Sequence, residues 1–382
     1  MRIGVMLRHY DQHGGGVKVY TRALLRQFLR SPGPHEFVFF YANPESAGDF
    51  RGNARVQEVV LPGRSSFLWD QVSVSRAVDR YGVDVLFNPK YSIPLTVNCP
   101  TAWVCHGLDW YVMPWASRWV DRLSHRFLVP RYAAKADAII SVSEITSEHL
   151  RQYLHVDADR VHTVYSGIDD AFRARVDAQK LADVRARYRL PERFLLYAGA
   201  VYPPKNFARM IQAYARVGPA LGLPLVIAGG ENRFLSEQEL KEPERLKLGD
   251  WVRWAGWVEN STLPAFYQMA QALLLPSLFE SFGLPILEAM ACGCPVVTSN
   301  RYGSKEIAGN AAVLVEPESV DAIAAGISRA VTDQPLRADL VRRGHERARE
   351  FTWERCANQT LTVLENIARK RAPNTARTMA SM

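Results

Sequence analysis

Glu280–Val297 reads ESFGLPILEAMACGCPVV. Two glutamates, Glu280 and Glu288, bracket a Gly-Leu-Pro turn that opens a very short helix and then runs straight into a strand. Pro285 falls in the first helical turn, where its missing N–H costs nothing, and Gly293 stands where a glycine cap ends a helix. Glu280 belongs to the loop and Glu288 to the helix, so the two carboxylates have different tasks. The backbone amides of Phe282, Gly283 and Leu284 have no intrahelical acceptor and are expected to point at a diphosphate. Glu288 is then placed to accept hydrogen bonds from two ribose hydroxyls, and Glu280 to face whatever hangs from the distal phosphate. One motif holds both ends of a sugar nucleotide.

Outward from this motif, short apolar runs alternate with longer stretches of helical periodicity, the pattern of parallel α/β sheets. The first series of strands is expected at Arg2–Leu7, Glu36–Tyr41, Val83–Phe87, Ala102–Cys105, Ala138–Val142 and Val161–Val164. After a charged, helix-prone link around Lys180–Arg189 comes a second series at Phe194–Ala198, Pro224–Ala228, Val252–Ala255, Ala272–Leu275, Pro295–Thr298 and Ala312–Val315. Two series predict two doubly wound domains, residues 1–178 and 190–352. Ligands bind such sheets at the carboxyl ends of the strands, so an interdomain cleft is the expected site. The tail 371–382 has the composition of a disordered segment.

A chain of 382 residues suits two cores better than one. Its 48% hydrophobic and 23% charged residues argue against wholesale disorder. No apolar run approaches the roughly 20 residues of a membrane span, and Arg8 interrupts the first one too early for a signal-peptide core. The five cysteines are odd in number and scattered, which favours reduced thiols and a cytoplasmic location. Cys292 and Cys294 are too close for a metal-ligand pair and read as small buried residues. A formal charge of +8 suits an anionic partner. Without zinc-finger spacing, a basic zipper or an aromatic RNA-binding signature, nucleic acid is not that partner.

Several further positions carry chemistry. His13-Gly14-Gly15-Gly16 lies between a strand and a helix, where Gly15 and Gly16 would let backbone amides approach an anion. The pattern is not GxGxxG, so a dinucleotide-binding dehydrogenase is set aside, and a turn without a ligand is equally consistent with it. His106 follows a strand directly in WVCHGLDW, at an end where ligands gather; a structural histidine is the competing reading. Lys205, after the stiff Pro203-Pro204 pair and at the opening of a helix, can meet a phosphate, or can be a solvated surface lysine. Asp157-Ala158-Asp159 is formally a DxD, but its polar surroundings mark it as turn chemistry. Residues 115–135 set Arg118, Arg122, Arg126, Arg131 and Lys135 among Trp119, Leu123, Phe127 and Leu128. That is either a basic amphipathic surface for an anionic membrane or an ordinary helix with a solvated basic face.

Taken together, the glycine loop, HGLD at His106, ISVSE at Ile140–Glu144, YSGID at Tyr165–Asp169, PPKN at Lys205 and ESFGLPILEAMACGCPVV resemble the retaining glycosyltransferases of family 4, also called group 1. The resemblance covers nearly the whole chain. It implies a GT-B fold: two Rossmann-like domains facing across a cleft, with a final helix, about 353–370, returning to the N-terminal domain. It implies Glu288 as the ribose-binding acid, Glu280 beside the transferred sugar, Lys205 on the diphosphate and His106 near the sugar ring. It also implies no metal and no cofactor beyond the nucleotide-sugar donor. GDP-mannose is the first choice of donor and a UDP-hexose the second, with a saccharide or lipid-linked saccharide as acceptor. The arginine that often precedes the family's lysine is absent here, where Gly199 is followed by Ala200. A catalytically silent sugar-nucleotide-binding subunit and a sugar-nucleotide epimerase are the alternatives.

Overall fold

The structure, a computed structural model, describes residues 1–10, 15–63, 65–117, 119–230 and 237–371. His13, Gly14, Arg118 and the tail beyond Arg371 lie outside them. The chain divides into two compact units. One comprises Met1–Tyr111, Ser117–Gly167 and the chain from Trp353 onward; the other comprises Val112–Ala116 and Ile168–Thr352.

Unit 1 is built on a seven-stranded parallel sheet in the order β3-β2-β1-β4-β5-β6-β7. Its strands are β1 (Arg2–Met6), β2 (Glu36–Tyr41), β3 (Val56–Val60), β4 (Val85–Asn88), β5 (Thr101–Cys105), β6 (Ala138–Ser141) and β7 (Val161–Thr163). The central strands are buried along their whole length, as in β4, β5 and β6. They therefore read as continuous apolar runs, as strands covered on both faces do. The edge strand β3 escapes sequence reading because Gln57 and Glu58 interrupt it and only Val59 is buried. Its place is fixed by pairing with β2, Phe37 opposite Val56 through Tyr41 opposite Val60.

Two helices far apart in sequence close one face of this unit. Gly16–Arg30 buries Tyr20, Leu24, Leu25 and Phe28, and Trp353–Arg371 buries Cys356, Ala357 and Leu364. Tyr20 meets Trp353 edge-on at 5.6 Å between centroids. His35 Nε2 lies 2.9 Å from Glu365 Oε1. The last helix thus returns to the unit that holds the first strand, and it runs through Arg371, one residue into the segment expected to be disordered.

Unit 2 repeats the plan with six parallel strands in the order β10-β9-β8-β11-β12-β13. These are β8 (Leu195–Ala198), β9 (Leu225–Ala228), β10 (Val252–Gly256), β11 (Ala272–Leu275), β12 (Val296–Ser299) and β13 (Val313–Val315). Residues 168–178, placed with the first domain by sequence, lie with this unit. Ile168 bridges to Thr352, Phe172 packs 6.0 Å from Tyr267, and Arg173 donates to the carbonyls of Ala348 and Phe351 at 2.9 and 3.0 Å. Cys294 is buried, whereas Cys292 is only half-buried, its thiol 3.2 Å from the Phe172 carbonyl.

Candidate functional site

In unit 2 the strand order reverses between β8 and β11. Loops leaving adjacent strands at such a point diverge and open a crevice at the carboxyl ends. Both loops here are built with unusual economy of space. After β8, Gly199 adopts φ +140°, and a Cβ on Gly229 would lie 1.8 Å from the Gly199 carbonyl oxygen, so residue 229 admits no side chain. Pro203–Lys205 forms one 3-10 turn, and Asn206 turns left-handed at φ 60° to start the Phe207–Val217 helix.

Asn206 Nδ2 donates to the carbonyls of Pro276 and Pro317 at 2.9 and 2.6 Å. In return, the N–H groups of Leu278 and Phe279 donate to the Pro204 carbonyl at 2.8 and 3.3 Å. The PPKN loop is therefore fastened to the loop that follows β11, and the fastening carries Lys205 to Glu280.

Lys205 Nζ donates to Glu280 Oε1, which also accepts from Ser277 Oγ at 2.8 Å. Both side chains are buried. Burial works to lower the lysine pKa, but the Glu280 charge and Tyr202 outweigh it, so the ammonium is held more firmly than in water. The face of Tyr202 lies 5.5 Å from Nζ. Glu280 is anchored through its backbone as well. Its carbonyl accepts from the Gly303 N–H at 2.9 Å, an approach that only glycine allows, since a Cβ at residue 303 would sit 2.6 Å from that oxygen.

The Leu284–Ala291 helix begins at Gly283, whose φ of 95° suits glycine, and carries Pro285 in its first turn. Among the described residues no side chain caps it. The amides of Gly283 and Leu284 have no intrahelical acceptor, by helix geometry. The Phe282 ring is buried and lies 5.9 Å from that of Phe351. Glu288 Oε2 accepts a 3.0 Å hydrogen bond from the Tyr267 hydroxyl. Burial pushes the Glu288 pKa up to about 7, the Tyr267 hydrogen bond opposes this, and Asp169 adds to it.

The remaining sequence-derived positions belong to unit 1. Gly15, at φ 95°, precedes the Gly16–Arg30 helix, and among the described residues, its chain neighbours aside, nothing lies within 4 Å of where its Cβ would be. His106 follows β5. Its Nε2 lies 2.7 Å from the Pro89 carbonyl, which can only accept, so Nε2 carries the proton and Nδ1 is left as the acceptor. Burial lowers its pKa to about 4, against the Pro89 hydrogen bond, so the imidazole is neutral at physiological pH. Tyr20 packs edge-on against it at 4.9 Å and links it to Trp353.

Sequence reading brought out Lys205, Glu280 and Glu288 but not Ser277, Tyr267, Asn206 or Gly303, which hold them. Asn206 had a local signal, as a residue tolerant of left-handed geometry before a helix. Tyr267 had none. Asp157 is the N-cap of the turn Ala158–Arg160 before β7. Among the described residues, no group of three or more His, Cys, Asp or Glu is placed to hold a metal ion.

Comparison with known proteins matches residues 183–347 to the family described as Glycosyl transferases group 1. Residues 14–172 match the Glycosyltransferase Family 4 description. The chain belongs to the group 1, family 4 glycosyltransferases. Within this family it is 34% identical over 232 residues to O-antigen chain mannosyltransferase B of Escherichia coli, covering 60% of each chain. It is 28% identical over 240 residues to serotype-specific mannosyltransferase WbdA of Escherichia coli, covering 62% of this chain and 29% of that one. The chain thus spans less than two thirds of the length of these curated relatives. Among solved structures, sucrose-phosphate synthase from Thermosynechococcus elongatus superposes with a TM-score of 0.78 at 22% identity, over 96% of this chain and 98% of that one. Anabaena HepE in complex with UDP and glucose gives 0.75 at 17% identity, over 96% and 100%. Likeness at these identities speaks for the fold, which is GT-B, with two Rossmann-like units.

Proposed function

We propose that the protein is a retaining hexosyltransferase that moves mannose from GDP-mannose to a hydroxyl of a saccharide or lipid-linked saccharide in bacterial polysaccharide synthesis. The observation that carries this reading is the buried Lys205–Glu280 pair beside the uncapped helix that contains Glu288. The names of the Escherichia coli relatives support mannose; the UDP bound in Anabaena HepE supports a UDP-hexose as the second choice.

In this reading the ribose diol donates to the Glu288 carboxylate, and the amides of Phe282, Gly283 and Leu284 take the diphosphate. Gly15 and Gly16 leave room for the same phosphates, Glu280 receives hydroxyls of the transferred sugar, and His106 Nδ1 accepts from the ring's substituents. As the glycosidic bond to the diphosphate breaks, negative charge grows on the departing oxygen. Lys205 and the helix amides favour that charge most in the transition state. The acceptor hydroxyl attacks from the same face and gives its proton to the departing phosphate, so no separate general base is required. Neither a metal ion nor a further cofactor enters this scheme.

The test is a panel of nucleotide sugars, read by thermal shift and by release of nucleoside diphosphate. Stabilisation by GDP-mannose that Glu288→Ala loses, together with GDP release, is the expected result. Stabilisation without release under any acceptor would instead indicate a silent binding subunit, and no response to any donor sinks the reading.

The second element of the proposal is peripheral contact with the cytoplasmic face of an anionic membrane. No helix among the described residues is long and apolar enough to cross one. In the Trp119–Lys135 helix, Trp119, Leu123 and Phe127 form a stripe that is 69%, 50% and 55% exposed. Arg122 and Arg126 flank it on the helix surface, the arrangement of an interfacial helix. Sedimentation with phosphatidylglycerol vesicles is expected to fall to a small fraction in Trp119→Ser/Phe127→Ser, and to fall with added salt in the wild type. Unchanged sedimentation in that variant and in Arg122→Glu/Arg126→Glu would discard the membrane contact.

A further inference from the structure

Unit 1 has its own reversal of strand order, between β1 and β4, and its electrostatics differ from those of unit 2. Arg8 and His9 follow β1, and Lys90 follows β4. Lys90 Nζ lies 3.3 Å from His9 Nδ1 and 5.4 Å from the centroid of the Tyr91 ring. Asp70, the buried acid nearby, is already engaged by Arg8 through two contacts of 3.1 and 3.3 Å. Among the described residues no carboxylate pairs with Lys90, whereas Lys205, near the strand reversal of unit 2, has Glu280.

Burial, and then the neighbouring Arg8, lower the Lys90 pKa to about 8. Burial, followed by Lys90 and Arg8, drives that of His9 to about 3. The environment is thus short of one negative charge.

Beside this cation stands an aromatic wall. Trp110 stacks on His125 at 4.2 Å, and Tyr91 meets Trp110 at 5.5 Å. His125 Nε2 lies 3.0 Å from the Tyr91 hydroxyl. Two polar atoms in the wall, Trp110 Nε1 and His125 Nδ1, are buried without a hydrogen-bond partner among the described residues. Native interiors rarely leave such atoms alone, so each has capacity for one further polar partner.

We infer that Lys90, with Arg8 and His9, binds a phosphoryl group on the acceptor, while Tyr91, Trp110 and His125 hold the part of the acceptor next to it. Because it speaks of an acceptor, the inference rests on the glycosyltransferase reading. The phosphoryl group has two sources, a polyprenyl phosphate or a soluble phosphate ester, and both present the same oxygens to the ammonium.

Calorimetric titration of the full chain with phenyl phosphate and with farnesyl phosphate in detergent, each beside its neutral alcohol, tests this. Saturating GDP is present in one arm to fill the donor position. At least one phosphate is expected to bind wild type equally with and without GDP, to bind about ten-fold more weakly to Lys90→Gln, and to regain affinity in Lys90→Arg. Which phosphate does so names the source. Lys90→Gln should unfold at or above the wild-type temperature, because it removes a half-buried charge that lacks a counter-charge among the described residues. Failure of both phosphates to bind, loss of binding on adding GDP, or indifference to Lys90→Gln would overturn the inference. If instead GDP and UDP do not bind while the Lys90-dependent phosphate does, the donor assignment fails and the phosphoryl site stands.

Discussion

Lys205→Met is expected to lower stability by about 3–5 kcal/mol, because it strands a buried carboxylate. Among the described residues, Glu280 would keep only the Ser277 hydroxyl, at 2.8 Å, in a position where its side chain is 8% exposed. A loss of this size is a large part of the roughly 5–15 kcal/mol that holds a typical domain together. Glu280→Gln alone strands the lysine in the same way. Lys205→Met/Glu280→Gln removes both charges and should recover most of the loss, since a buried pair contributes little net stability against neutral residues of similar volume. Turnover should behave differently. Both Lys205 variants should fall about ten-fold or more, as expected if the ammonium supplies at least ~1.4 kcal/mol to the departing diphosphate. Denaturant titrations over the double-mutant cycle, with nucleoside diphosphate release measured on the same samples, separate the two effects. A single variant as stable as wild type would contradict the buried-pair account, and a double variant with wild-type turnover would remove Lys205 from the reaction.

Glu288 should make donor binding depend on pH. A ribose diol donates to a carboxylate and gains much less from a carboxylic acid. With the Glu288 pKa raised to about 7, nucleotide affinity is expected to rise by about ten-fold between about pH 6 and pH 8. Stability has the opposite slope. The folded protein holds this proton up to about pH 7, whereas the unfolded chain releases it near the ordinary value of 4.5. Between those values the folded state binds more protons, so the contribution of Glu288 is fully present below the lower one and is lost as pH rises through the higher one. Glu288→Gln should flatten both slopes while weakening binding throughout. Titrations of GDP across this range, paired with denaturant curves, decide the matter; a wild-type affinity indifferent to pH would deny Glu288 its place on the ribose.

Local chemistry made much of this legible in advance. Gly283 and Pro285 announce an uncapped helix start, and the buried strands β4 to β6, β8, β9 and β11 are largely continuous apolar runs. What stayed hidden depends on distance along the chain. Lys205 and Glu280 are 75 positions apart, and nothing in either neighbourhood states that one will neutralise the other. Tyr267 looks like any core aromatic until the sheet brings its hydroxyl to Glu288. β3 was invisible for another reason: an edge strand with Gln57 and Glu58 carries too little apolar pattern to stand out from a loop. The cationic group around Lys90 is assembled from the ends of two strands, and only the strand order shows that β1 and β4 are neighbours.

The return of the Trp353–Arg371 helix to unit 1 sets an order of events during synthesis. His35 and Glu365, 330 positions apart, belong to one folded body, and all of unit 2 between β8 and β13 leaves the ribosome before the second of them does. Unit 2 can close its sheet at once, from sequence that is contiguous between Leu195 and Val315. Unit 1 must wait with the side of Tyr20 that faces Trp353 uncovered, an exposed apolar face of the kind that chaperones bind. A chain cut short before Trp353 and released from the ribosome therefore carries one finished domain and one unfinished one, and protease should leave unit 2 intact while unit 1 is degraded.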